Sequence, residues 1–225
     1  MDQNFIPELL PVLESRIAIC GFPDMIQELG VPGQGIEKTV WWVRHGPTHA
    51  KGMVGWTDLP ADLGDTAALE RLSAALPKGV PILSSDLSRT RTTADAVAGD
   101  RPRLPPQRGL REMHFGAWEM RSHTEIEAET PELIRAFWEE PGAVRPPGGE
   151  SWHDLGTRVS AAVDDLLKAH HEVIVVAHFG VILSEVQRAL DWSDDETFAQ
   201  RIEPLSLTRI RYHPAPIADP INHLP

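Results

Sequence analysis

From residue 39 onward the hydrophobic positions follow two rhythms that take turns along the chain. Residues 39–43 (TVWWV), 80–83 and 173–177 (VIVVA) are short β-branched or aromatic runs that stop abruptly at polar or turn residues, the signature of buried strands. Between them the spacing becomes helical. Ser151 is placed to cap a helix with Asp154 three positions on, and Leu155, Val159, Ala162, Val163, Leu166 and Leu167 then form one apolar stripe. Residues 66–76, 89–98 (closed by Gly99) and 181–190 read as further helices, and 207–212 as a last strand before a proline-bearing tail. Strands separated by helices predict an α/β fold, a three-layer α/β/α sandwich around a mostly parallel sheet covered on both faces. Trp41 and Trp42 should pack on opposite faces of the first strand.

Residues 1–37 break the pattern. Prolines at 7, 11, 23 and 32 interrupt their apolar residues, short helices are expected around 8–15 and 24–29, and GVPGQG at 30–35 reads as a linker. The chain is therefore divided into an N-terminal arm and linker, 1–37, and a domain, 38–225. Such an arm can cover a pocket mouth, mediate self-association as a homodimer, or be a disordered leader.

Composition narrows the function. A chain of 225 residues with 41% hydrophobic content can build one sizeable core. A net charge of −12 argues against nucleic acid and anionic membranes as partners, so any phosphate must sit in a local cationic pocket. The single cysteine, Cys20, cannot form an intramolecular disulfide, the N-terminus lacks the basic and apolar regions of a secretion signal, and no apolar stretch nears the ~20 residues that cross a bilayer. A cytoplasmic location is expected.

Four segments carry candidate chemistry. Arg44-His45-Gly46-Pro47-Thr48 directly follows the first strand, at the carboxyl end where open α/β sheets bind ligands. An imidazole there can attack phosphorus, and the adjacent guanidinium offers a fixed fork for phosphoryl oxygens. Next, SSDLSRTRTTA at 84–94 follows another strand and puts Arg89 near a helix start. LREMHFGAWE at 110–119 lies in a loop-like stretch, and VVAH at 175–178 ends a strand in His178. Neither dinucleotide nor P-loop glycine patterns occur, and the remaining histidines show no metal-ligand spacing such as H-E-x-x-H.

In this order, with GGES at 148–151, the motifs resemble branch 1 of the histidine phosphatase superfamily, the phosphoglycerate-mutase-like proteins, over about residues 39–212. The resemblance implies a phosphoric monoester hydrolase of the histidine acid phosphatase type, without metal or other cofactor, acting on a small phosphorylated metabolite. It implies that His45 is the nucleophile, with His178 beside the transferring phosphoryl, Arg44 and Arg89 clamping its oxygens, Glu112 as general acid, and Thr48 and the Phe179 N–H in contact with phosphate. Two positions depart from the family pattern: Lys51 stands where asparagine is common, and Met120 where glycine often follows the W-E pair. Lysine could reach phosphate as a point charge but cannot accept a hydrogen bond. Trp118 could line the substrate pocket or pack in the core.

His178 follows Glu112 by only 66 residues. That leaves little room for the long insertion with which mutases of the family enclose phosphoglycerate, so hydrolysis is favoured. LREMHFGAWE and PPGGES look most like the α-ribazole phosphatase group, whose substrate is α-ribazole 5′-phosphate. The alternatives are a phosphoglycerate mutase, or a catalytically silent module that binds a phosphorylated ligand.

Overall fold

The computed structural model describes residues 36–225, so the two short helices and the linker expected before residue 36 lie outside the described residues. Five strands form one sheet: β1 (Lys38–Arg44), β2 (Ile82–Ser84), β3 (Glu172–Ala177), β4 (Leu207–His213) and β5 (Ile217–Ala218), in the order β2-β3-β1-β4-β5. The pairings β2·β3 and β3·β1 are parallel, whereas β1·β4 and β4·β5 are antiparallel. The sheet is therefore mixed. Only β4 runs against the other strands, and the tight turn that follows it brings β5 back parallel to the rest. The second strand starts after Pro81, whose ring nitrogen has no hydrogen to give a ladder.

Seven helices accompany the sheet among the described residues: α1 (Thr66–Ala75), α2 (Ser88–Ala98), α3 (His123–Glu129), α4 (Pro131–Glu139), α5 (Trp152–Ala169), α6 (Phe179–Leu190) and α7 (Asp194–Phe198). The apolar stripe of α5 (Leu155, Val159, Val163, Leu166, Leu167) and the buried residues of α6 pack with Val40, Trp42, Val173 and Val175 on one sheet face. On the other face Leu69 and Leu72 of α1 and Ala94 and Val97 of α2 meet Val43, Ile174 and Val176, with Trp41 packed beside them. Trp41 and Trp42 thus point to opposite layers, as strand alternation requires. Ser151 caps α5 through a reciprocal box with Asp154, and α2 ends on Gly99 at φ 52°, a left-handed conformation that glycine adopts without strain.

Trp118 settles in the core. Only 1% exposed, it packs edge-on against Phe137, 5.4 Å between ring centroids, within a small cluster with Ile126 of α3 and Ile134 of α4. Met120, two residues on, has φ 63°, which explains why glycine would suit this position.

Every side chain of β3 from Val173 to Ala177 is buried, so this interior strand should tolerate truncation poorly. Ile174→Ala is expected to lower unfolding free energy by about 2–5 kcal/mol in urea titration. Ile36→Ala, at a position 64% exposed, should stay within about 0.5 kcal/mol of the parent.

Candidate active site

Parallel pairing lines up the carboxyl ends of β2, β3 and β1. Arg44 pairs with Ala177 and Ser84 with Val176, so the next residues, His45, His178 and Ser85, emerge side by side. The emerging backbone stays in register: His45 N donates to Ala177 O (3.1 Å) and Ser85 N to Val176 O (3.2 Å). Residues up to 133 positions apart in the chain are thereby gathered at one sheet edge. The imidazoles of His45 and His178 stand 5.1 Å apart, centroid to centroid.

Each ring has its tautomer fixed by its partners. His45 Nδ1 lies 2.7 Å from the carbonyl oxygen of Gly46, which can only accept, so Nδ1 carries the hydrogen and Nε2 keeps its lone pair. Burial, reinforced by the Arg89 and Arg44 charges and opposed by the Gly46 bond, lowers the His45 pKa to about 3. His178 is fully buried and its pKa is likewise held well below the ordinary value, first by burial and then by the charges of its neighbours. Arg89 Nε donates to His178 Nδ1 (3.3 Å), so the other nitrogen, Nε2, donates to Ser85 Oγ at 2.8 Å. Ser85 Oγ in turn lies 2.8 Å from Thr90 Oγ1, whose own hydrogen goes to the carbonyl of Leu87 or Ser85.

Arg89 is the second residue of α2, whose first N–H, at Ser88, donates to the Asp58 carboxylate (2.7 Å). Only 1% exposed, its guanidinium donates to Thr57 O (2.9 Å) and Gly55 O (2.6 Å) as well as to His178. Arg44 donates to Ile202 O and lies over the Phe179 ring, 5.5 Å from its centroid; its Nε is buried with no partner. Among the described residues every protein acceptor on these two cations is neutral. Burial lowers both pKa values, against the stabilising fields of Glu112 and, more remotely, of Glu203 or Asp58 and Glu119.

Glu112 sits between the loop of 110–119 and the start of α6. Its Oε1 accepts from the Met113 N–H (2.9 Å) and its Oε2 from the Gly180 N–H (3.1 Å). Burial raises its pKa, although those two donors and both arginines favour the charged form. Gly180 cannot be larger without displacing the carboxylate: a Cβ there would fall 2.6 Å from Glu112 Oε1. Helix α6 begins at Phe179, two residues earlier than the hydrophobic spacing predicts, so His178 is its N-cap and the Phe179 N–H is one of the unpaired donors of the first turn. Thr48 is half-buried and Lys51 exposed; among the described residues neither makes a hydrogen bond or ion pair. Among the described residues, no group of three or more His, Cys, Asp and Glu side chains is arranged to hold a metal ion.

Several positioning residues escape sequence reasoning. Glu119 accepts five hydrogen bonds, from the N–H groups of Gly55, Trp56, Thr57 and Phe115 and from the Thr57 hydroxyl. It thereby shapes the 55–57 turn whose carbonyls hold Arg89. Burial alone would raise its pKa, yet these donors outweigh burial and lower it. Thr93 Oγ1 accepts from Gly46 N (3.1 Å), tying the His45 loop to α2. Arg158 of α5 donates to the carbonyls of Gly109, Arg111 and Glu112 and is paired with Glu150 at 2.7 Å, which fixes the Glu112 loop to the sandwich. Thr93 and Glu119 lie inside two of the four segments and Glu150 inside GGES at 148–151; only their proximity to named residues could have suggested them.

The profile of the "Histidine phosphatase superfamily (branch 1)" matches residues 40–217. The chain belongs to this superfamily. Among curated relatives, glucosyl-3-phosphoglycerate phosphatase of Mycolicibacterium vanbaalenii is 35% identical over 62% of this chain and 68% of its own length. Adenosylcobalamin/alpha-ribazole phosphatase of Escherichia coli is 30% identical over 73% of this chain and 85% of its own. The solved native structure of a mycobacterial glucosyl-3-phosphoglycerate phosphatase superposes with a TM-score of 0.72 at 25% identity, covering 83% of this chain and 99% of that one. The phosphoglycerate-mutase-like α/β fold expected from the motifs is thus the fold of this histidine phosphatase. Among the described residues no helix is long and apolar enough to cross a membrane.

Two outcomes follow for this site. The unfolded chain takes protons on His45 and His178 near pH 6.5, whereas the folded His45 resists protonation down to about pH 3, so stability is lost as pH falls through that window. His45 alone should account for about 2 kcal/mol of the decline between pH 7 and 5, and urea titrations of His45→Asn should show a correspondingly flatter profile. Glu119→Ala leaves four backbone N–H groups without their acceptor. It should cost about 1–3 kcal/mol in the same assay and weaken inorganic phosphate binding by loosening Arg89.

Proposed function

We propose that this histidine phosphatase is a metal-independent phosphomonoesterase of the histidine acid phosphatase type, hydrolysing small phosphate esters through a phosphohistidine on His45. The observation that carries this reading is the pair of guanidiniums, half-buried Arg44 and buried Arg89, bonded among the described residues only to neutral acceptors, beside an imidazole whose Nε2 lone pair is free. A buried cation without a paired carboxylate calls for an anion, and a buried N–H without a partner, such as Arg44 Nε, calls for an acceptor. A phosphoryl group supplies both.

In the first step His45 Nε2 attacks phosphorus while the P–O bond to the leaving alcohol breaks, and protonated Glu112 gives that oxygen its hydrogen. In the second, Glu112 removes a proton from water, the water oxygen bonds to phosphorus, the P–N bond breaks, and inorganic phosphate departs. Phosphate monoesters need a barrier reduction of roughly 20 kcal/mol, most of which must come from charges already in place. Arg44, Arg89 and the first-turn N–H of Phe179 serve that purpose, and neutral His178 completes the enclosure. The same burial that neutralises His45 raises Glu112, which suits the first to attack and the second to protonate. Thr48 and Lys51 lie on the same loop and remain candidates for substrate contact, the metabolite being one of the esters to be screened. The relatives are named for phosphatase activity, which supports hydrolysis over the mutase and silent-module readings.

His45→Ala should lower kcat/KM for p-nitrophenyl phosphate by about 10³-fold or more, and turnover by the parent should persist in excess chelator. Rapid quenching should trap an alkali-stable, acid-labile phosphoenzyme. Glu112→Gln should slow esters of alkyl alcohols far more than p-nitrophenyl phosphate, whose leaving group needs no proton. With the parent enzyme the rate should fall as pH rises through the elevated Glu112 pKa. Full activity in His45→Ala, or a rate on an alkyl phosphate still flat past about pH 9, would contradict the scheme.

A further inference from the structure

Beside Glu112 the surface opens into a cleft of about 370 Å³. Its walls are aromatic: Phe115 from the Glu112 loop, Phe137 and Trp138 of α4, Trp152 of α5, Phe179 of α6 and Phe198 of α7. Trp138 and Phe198 remain 52% and 36% exposed, as large apolar side chains at a mouth and not as a closed core. The walls are braced from behind. Trp152 Nε1 donates to Gln187 Oε1 at 2.7 Å, and its ring lies 4.8 Å from that of Phe198.

We propose that this cleft is the leaving-group subsite and that it selects phosphomonoesters whose organic part carries an aromatic or other apolar ring and no second anionic group. The inference rests on the hydrolytic reading above. Two residues join the cleft to the phosphate site: Glu112 and Phe179 line it, and the Phe179 ring also lies under the Arg44 guanidinium. A phosphoryl group held by Arg44 and Arg89 would therefore direct its ester oxygen past Glu112 and its carbon skeleton into the aromatic walls. The volume is at the lower end for small-molecule sites, enough for a ring system and little more.

Charge decides against a second anion. Among the described residues Glu112 is the only titratable side chain lining the cleft, and the residues after Trp138 on the exposed side are Glu139 and Glu140. Of the nearby cations, Arg44 is committed to the phosphoryl group and Arg145, next to the lining Val144, is paired with Asp154 at 2.6 Å, while others are gathered elsewhere. Arg108, Arg111 and Arg158 lie over Trp56, at 5.2, 5.0 and 6.0 Å from its ring, and the last two are paired with Asp86 and Glu150. A carboxylate on the leaving alcohol would shed water in the cleft and find no cation there.

The test compares three esters of primary alcohols, so that leaving-group chemistry stays similar: 2-phenylethyl phosphate, n-propyl phosphate and 3-phosphoglycerate. We expect kcat/KM for the phenylethyl ester to exceed that for the propyl ester by about tenfold or more, with phosphoglycerate lowest. In Trp138→Ala, a change at a half-exposed position, the phenylethyl-to-propyl ratio should fall severalfold. A ratio within about twofold for the parent, a preference for phosphoglycerate, or a ratio unmoved by the variant would overturn the subsite. If none of the three is hydrolysed, the phosphatase reading fails, and binding of 2-phenylethylphosphonate against n-propylphosphonate, followed by tryptophan fluorescence, still decides the cleft. Affinity about tenfold higher for the phenylethyl compound upholds it, and equal affinity removes it.

Discussion

Everything in this molecule depends on three parallel strands ending at the same level. Parallel neighbours present their carboxyl ends together, and the register that pairs Arg44 with Ala177 and Ser84 with Val176 leaves the following residues no choice but to meet. A one-residue slip would turn His45 or His178 to the opposite face and put an apolar side chain at the edge. That slip is opposed by two complete core layers, because β1 and β3 bury side chains on both faces. The sandwich is thus the device that converts a sequence separation of 133 residues into two adjacent imidazoles.

The same sandwich bears the cost of the cations. Removing two guanidiniums from water without a paired carboxylate is unfavourable, and the protein offsets part of it with carbonyl oxygens from the 55–57 turn and Ile202. The 55–57 turn is itself held by Glu119, and the neighbouring Glu112 loop by Arg158. Two charged residues away from the anion site, one acidic and one basic, therefore decide how rigidly it is presented. Rigidity matters here because preorganised dipoles stabilise a transition state only if they need not move to do so.

Much of this was legible in the sequence. The strands at 39–43, 173–177 and 207–212 and the helices at 66–76 and 89–98 differ from the folded elements by a residue or two, and the apolar stripe from Leu155 to Leu167 behind the Ser151 cap lies within α5. Helices α3, α4 and α7 leave no clear trace in the sequence, because they are short and lie among prolines and acidic residues, where the apolar period has no room to repeat. The mixed sheet was also hidden: nothing in a strand's own composition says that β4 will run backwards and bring β5 beside it. Of the candidate residues, His45, His178, Arg44, Arg89 and Glu112 were marked by ordered motifs, whereas the aromatic cleft draws on residues from 115 to 198 that share no motif. Its members come together only through the packing of α4, α5, α6 and α7, a tertiary property that no local pattern encodes.

One tension in the site resolves on its own terms. An imidazole whose pKa is near 3 is reliably neutral but is a weak base, and basicity and nucleophilicity usually fall together. The depression arises from burial and from two cations, and a phosphate ester entering between them brings two negative charges to the same place. In the proposed reaction that anion would cancel the arginine fields at His45 when attack is to occur, so electron density would be restored only in the loaded site. For Glu112 the arriving charge acts in the same direction as burial and strengthens its hold on the proton. In the proposed reaction the substrate's charge would thus prepare nucleophile and acid together, so that two groups of opposite chemistry could share one field without either being left in the wrong protonation state.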